Sequence, residues 1–418
     1  MTLRLPCFLL LLASLASAIG GDTLQAAEEE KFNYDETKVP TFLLPDPLHF
    51  ETGTKVRDAN EWRTRRRPEL LELFQTQVYG RRPADPQSIE FELLESNPNA
   101  LAGAATRKRI QIFFFGKEFP DVRMTLTLFV PNTANKPVPA FVGMHLFDSQ
   151  ADHPIPGKPL QEKVEKDLPG AKTLDVILAR GYAIGTLDAK DFCPDDAKRF
   201  RDGVLSHLYP GRSGAPAAEE PGAIATWAWG LSRALDYLET DKDIDAKRVA
   251  VIGHSRMGKT ALWAGAQDER FAMVISNNSG CGGAALSKRR FGETVARINR
   301  AFPHWFCANF SKYDNREEEL PIDQHELIAL SAPRPVYVAS ALEDRWADPK
   351  GEFLAALGAD PVFEFLGVPG LGTKEMPPTG KSIGGNLGYH LRVGPHALSD
   401  YDWMMYLDFA DRHLRKEE

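Results

Sequence analysis

Apolar residues change their spacing at about Val138. Before it, Ile89–Leu94, Lys108–Phe115 and Val122–Val130 alternate apolar and polar positions, the period of strands that bury one face. Their close succession predicts antiparallel pairing, and the helical spacing upstream predicts a helix from Asp58 to Val78. After Val138, β-branched runs take turns with helical patterns. Strands are expected at Pro139–Met144, Ala183–Leu187, Val249–Gly253, Ala272–Asn277 and Val336–Ala341, with a helix over Ala223–Glu239. Strands that are apolar throughout need cover on both faces. The predicted fold class is therefore α/β, a three-layer αβα sandwich with a mostly parallel sheet and antiparallel N-terminal strands.

The strand ending at Gly253 runs into Gly253-His-Ser-Arg-Met-Gly258-Lys259 and then into helix-forming Thr260–Ala266. A strand that turns into a helix at a glycine-framed serine exposes the hydroxyl and aims backbone N–H groups at a developing oxyanion. Ser255 is thus the expected nucleophile of an α/β-hydrolase. The usual Gly-x-Ser-x-Gly spacing is stretched by one residue, because Met257 stands in the second glycine position. Arg256 and Lys259 put two cations in the first helical turn, where the macrodipole is already positive. That placement favours stabilisation of negative charge beside Ser255.

An α/β-hydrolase needs an acid and then a histidine downstream of the serine. The polar loop Leu342–Pro349 follows the Val336–Ala341 strand and offers Glu343, Asp344 and Asp348; Asp344 is the preferred acid. His390 and His396 compete for the base, and the Gly394-Pro-His396 turn favours His396.

Taken together, Gly253–Lys259, Asn277–Leu286, Phe302-Pro-His-Trp-Phe306, Glu343–Pro349 and Gly394-Pro-His396 resemble the bacterial glucuronoyl esterases, carbohydrate esterase family fifteen, over the stretch from Trp62 to Trp403. The resemblance implies hydrolysis of esters between 4-O-methyl-glucuronic acid on glucuronoxylan and alcohols such as those of lignin. It implies Ser255 as nucleophile, Arg256 at the oxyanion and Lys259 at sugar hydroxyls. Glu293 and Trp346 would bind the uronate ring, by hydrogen bonds and apolar contact respectively. Fungal members carry the triad glutamate in the segment matching Asn277-Asn278-Ser279, where this chain has no carboxylate. That departure moves the acid to the loop after Ala341. Two other readings remain: a broader serine carboxylesterase or peptidase, and a carbohydrate-binding relative without activity.

Residues 1–18 have one positive charge, a short apolar run and a small-x-small end, as a signal peptide does. Residues 19–47, acidic and irregular from Glu28, are expected to form a leader or extended arm, and 48–418 a single catalytic domain with no Pro/Ser linker or repeat. The loops Phe147–Gly170 and Asp191–Ala218 are expected to shape the rim of the site. Export to the periplasm or outside the cell follows from the leader. No later stretch reaches about 18 uninterrupted apolar residues, so no membrane span is expected. The net charge of −8 argues against a nucleic-acid partner. Cys7 leaves with the signal, and Cys193, Cys281 and Cys307 permit one disulfide and a free thiol, or none. No clustered His/Cys set suggests a metal, and the mechanism requires neither metal nor cofactor. The resemblance implies a uronate-bearing polysaccharide as partner, and a monomer is expected. The basic run Arg63–Arg67 reads as the solvated side of the first helix.

Overall fold

Alternate residues of the central strands point to opposite faces of one sheet, and each face is closed by its own helices. In β6 (Ile244–His254), Val249 and Val251 enter one apolar cluster while Ala250 and Ile252 enter the other; in β8 (Val336–Ala341), Val336 and Val338 oppose Tyr337 and Ala339 in the same way. On one face lie α1 (Ala171–Ala179) and α5 (Asp400–Leu414). On the other lie α2 (Ala223–Leu238), α3 (Arg256–Gln267), α4 (Pro349–Phe365) and a helical run over 59–79. The three-layer αβα sandwich is present. The structure, a computed structural model, describes residues 32–147, 171–211 and 216–415. The expected signal peptide, nearly all of the Phe147–Gly170 loop and the tip of the Asp191–Ala218 loop lie outside the described residues.

The sheet runs β1-β2-β3-β5-β4-β6-β7-β8-β10-β9. β1 (Glu90–Ala100), β2 (Ala105–Phe113) and β3 (Arg123–Pro131) are antiparallel, as their alternation predicts. β4 (Val138–Met144), β5 (Ala183–Leu187), β6, β7 (Met273–Asn277), β8 and β10 (Leu387–Arg392) form the parallel block. β9 (Lys381–Gly384) closes the far edge antiparallel to β10. These last two strands are absent from the sequence-based expectation. Gly388, His390 and Arg392 break the apolar run of β10, yet the histidine and arginine are buried against Asp402 rather than solvated.

The basic run is a correction. Arg63 and Arg65 face solvent, but Arg66 and Arg67 are buried. Trp62, Arg66, Leu70 and Phe74 recur every four residues and so share one helical stripe, which faces the core. The Arg66 guanidinium reaches Glu69 and Glu326 at 2.8 Å and the Pro47 carbonyl at 3.0 Å, while Arg67 donates to the carbonyls of Leu330 and Ala266. Periodicity predicts the stripe; which charged residues within it find buried partners depends on segments far away in the chain. Residues 33–47 form an irregular arm, tied down by Gly292 N–H to the Asn33 carbonyl, Glu36 to Arg289 and Lys350, and His325 to the Pro45 carbonyl.

Candidate active site

β6 ends at His254, and Ser255 turns the chain into α3 with φ 57° and ψ −127°, a strained conformation for a residue with a Cβ. Two glycines make the turn possible. A Cβ on Gly253 would lie 1.9 Å from the Met257 carbonyl oxygen, and one on Gly258 would lie 2.9 Å from Ser279 Cβ. The second glycine is thus placed where α3 meets the segment after β7, which accounts for the stretched spacing. Ser255 N–H donates to the Asn277 carbonyl at 2.9 Å, and its hydroxyl makes no capping bond to the helix. Ser255 is half-buried and occupies the N-cap position of α3, where the first N–H groups of a helix have no intrahelical partner.

The acid and the histidine meet because β8 and β10 are parallel neighbours whose following loops leave the sheet side by side. Leu342 N–H donates to the Arg392 carbonyl at 2.8 Å and Glu343 N–H to that of Gly394 at 3.2 Å, binding the two loops together. His396 Nδ1 lies 2.6 Å from Asp344 Oδ2. A carboxylate can only accept, so Nδ1 carries the proton and the Nε2 of the neutral ring is left without one. Asn278 Nδ2 donates to the same Oδ2 at 2.8 Å. Burial opposes ionisation of Asp344, but the bonds from His396 and Asn278 outweigh it and hold its carboxyl below the usual range. The competitors are elsewhere. Glu343 is exposed, Asp348 pairs with Arg289 at 2.8 Å, and His390 is fully buried between Asp402 and Tyr337.

A second imidazole borders the first. The ring centroids of His254 and His396 are 4.5 Å apart, with the planes tilted by 42°. Asn277 gives its Nδ2 to the Tyr406 hydroxyl at 2.7 Å, so its Oδ1, 2.7 Å from His254 Nδ1, is the acceptor. Burial, followed by the neighbouring His396, pushes His254 down to about 4, which keeps its ring neutral beside that of His396.

Arg256 is half-exposed, with Nε 2.9 Å from Asp195 Oδ2. Lys259 is buried, and its ammonium donates to the carbonyls of Ser279 and Cys281 at 2.5 and 2.7 Å. Two of its three donors are thereby occupied. Glu293 N–H donates to the Trp346 carbonyl at 3.0 Å, and the Trp346 side chain bonds to the Glu293 carboxylate. Burial raises the pKa of Glu293 against the opposing pull of Lys259. These bonds tie Glu293, which precedes the helix over Val295–Ala301, to Trp346. The structure thus brings Ser255, His396 and Asp344 to one end of the sheet, and it links Glu293 to Trp346 and, electrostatically, to Lys259 and His396. Sequence reasoning missed Asp195 and the contact of His254 with His396. His254 stood in the serine motif as a spacer, and Asp195 had no signal beyond lying in a polar loop.

Among the described residues no three His, Cys, Asp or Glu side chains are grouped to hold a metal ion, and no helix is long and apolar enough to cross a membrane. Cys193, Cys281 and Cys307 are buried free thiols.

A family model described as glucuronyl esterase, fungi, matches residues 167–367. The chain is 44% identical to Carbohydrate esterase MZ0003 from an unknown prokaryotic organism, over 98% of both chains. It is 29% identical to 4-O-methyl-glucuronoyl methylesterase 1 of Wolfiporia cocos, over 78% of this chain and 72% of that one. The glucuronoyl esterase from Solibacter usitatus superposes with a TM-score of 0.84 at 44% identity, covering 90% of this chain and 99% of that chain.

Proposed function

The chain belongs to the glucuronoyl esterases, carbohydrate esterase family fifteen, and from that premise we propose a Ser255–His396–Asp344 triad that cleaves esters of 4-O-methyl-D-glucuronic acid. The observation that carries this reading is the Asp344–His396 pair at 2.6 Å beside the strained serine turn. His396 Nε2 takes the proton of Ser255 as Oγ attacks C6 of the uronate. The carbonyl oxygen becomes negative at the N-terminus of α3, where backbone N–H groups and Arg256 stabilise it. Asp344 holds the imidazolium by charge and fixes its tautomer. Collapse releases the alcohol with the proton from His396, and water then frees the uronate from Ser255 by the same steps in reverse order.

Glu293 accepts hydrogen bonds from ring hydroxyls, Trp346 covers the apolar face of the sugar, and the remaining Lys259 donor reaches a hydroxyl. The natural polymer is glucuronoxylan esterified to lignin alcohols, cut by a monomer exported to the periplasm or beyond. Support for export comes from the character of residues 1–18.

Ser255→Ala and wild type should be compared on methyl glucuronate, methyl galacturonate, acetylated xylan and a peptide ester. The expected result is hydrolysis of the glucuronate ester far ahead of the others, lost by several orders of magnitude in Ser255→Ala. More than about a tenth of the activity remaining would remove Ser255 from its role. Equal rates on all four esters would favour a broad carboxylesterase.

A further inference from the structure

Two hydrogen-bond donors and one guanidinium, from two separate elements, converge on a carboxylate that takes no part in the proposed triad. Asp195, in the segment that follows β5, receives His304 Nε2 at 2.8 Å and Trp305 Nε1 at 2.7 Å on Oδ1, and faces Arg256 Nε at 2.9 Å with Oδ2. The turn carrying His304 and Trp305 is itself fixed. Their carbonyls accept from Ala223 N–H at 2.8 Å and Ile224 N–H at 3.2 Å at the start of α2, and Phe200 packs on the His304 ring. Burial opposes ionisation of Asp195, yet the bonds from His304 and Trp305 and the charge of Arg256 keep its carboxyl below the usual range.

We infer that Asp195 is a positioning residue that aims Arg256 at the acyl carbonyl and, by its charge, limits how tightly Arg256 holds the carboxylate product. The inference rests on the oxyanion reading of Arg256. Two physical reasons support it. Arginine is rich in rotamers, so a guanidinium held in an ion pair with a fixed carboxylate presents its terminal Nη groups already ordered, and a preorganised donor needs no rearrangement as charge develops. The second reason is the charge of the product. The substrate ester is neutral at C6, but hydrolysis leaves a uronate anion beside a cation. An unpaired guanidinium would bind that anion; one already facing Asp195 attracts it less.

The test compares wild type, Asp195→Asn, Asp195→Glu, Arg256→Ala and the double variant Asp195→Asn/Arg256→Ala, reading kcat, KM and inhibition by free 4-O-methylglucuronate. Asp195→Asn should lower kcat about 10-fold or more with KM little changed, and should tighten product inhibition several-fold. Asp195→Glu keeps the charge but misplaces it, so kcat should fall without tighter inhibition. The double variant should be no slower than Arg256→Ala, since both changes act through one guanidinium. Wild-type kcat in Asp195→Asn beside a slow Arg256→Ala, or losses that multiply in the double variant, would overturn the inference and leave the oxyanion reading intact. Wild-type kcat in Arg256→Ala would instead overturn that reading, and the inference with it. If Asp195→Asn does not fold, wild-type kcat in Asp195→Glu alone would decide against aiming.

Discussion

Replacing Asp344 by asparagine removes one negative charge and almost no volume. Asn278 Nδ2 donates to the Oδ2 position at 2.8 Å, which requires an oxygen there, so the new amide would turn its oxygen toward Asn278 and His396. His396 Nδ1 could still donate, and the tautomer would survive. The charge would not. With about 4 Å between charge centres and an effective dielectric near 20, the lost attraction for the imidazolium is about 4 kcal/mol. Asp344 is buried, but the His396 side chain is 41% exposed. Solvent around the exposed ring lowers the loss to roughly 3 kcal/mol, a turnover reduced by about 100-fold. A variant that also lost the tautomer would approach the roughly 10⁴-fold known for the equivalent change in a serine protease.

The Asn278 contact supplies a second arm. A carboxylate introduced by Asn278→Glu would enter the space from which Asn278 now reaches Asp344, and would return negative charge to the segment where fungal members carry it. Recovery in the Asp344→Asn background should be partial. Asn278 has φ 44°, a left-handed conformation that asparagine tolerates better than glutamate, and the site is almost fully buried. The assay is the turnover of methyl glucuronate by wild type, both variants and Glu343→Gln, with thermal melting to confirm folding. Near-normal turnover in Asp344→Asn with collapse in Glu343→Gln would transfer the acid to Glu343. Near-normal turnover in both would refute a triad acid in this loop.

Two further outcomes follow from the same geometry. Gly253→Ala places a methyl group 1.9 Å from the Met257 carbonyl and 2.7 Å from Gly258 N, both backbone atoms that cannot rotate away, so the serine turn must open. Activity should fall at least about 100-fold with a lowered melting temperature, and an unchanged rate and melting point would refute the steric account of the turn. His254 contributes a pH dependence. Its folded pKa of about 4 lies below the unfolded value of about 6.5, so between those limits the unfolded chain binds the proton more readily. The stability it contributes is therefore full above about pH 6.5 and lost as pH falls toward 4, by roughly 3 kcal/mol. Denaturant unfolding of His254→Phe should show a shallower loss between pH 7 and 4.5 than wild type, and identical slopes would refute it.

The alternation of β1 to β3, the apolar runs of β4 to β8 and the glycine-framed serine are local properties. A strand's period and a turn's steric demands are written into neighbouring residues, so the αβα sandwich and Ser255 were legible in the sequence. The order of Ser, acid and histidine narrowed the partners to two histidines and three carboxylates, and the loop after β8 and the Gly394-Pro-His396 turn favoured Asp344 and His396 among them. What the sequence could not give was their contact, which arises because β10 pairs beside β8 and delivers His396, not His390, to Asp344. Burial settled what periodicity left open in the same way. Arg66 and Arg67 sit in a core stripe because Glu326, Leu330 and Ala266, some 200 to 260 positions away, supply their partners. Asp195 and His254 escaped the sequence for the same reason. A carboxylate or an imidazole acquires its role from the groups brought within about 3 to 5 Å of it, and those contacts come from chain segments whose proximity no local pattern records.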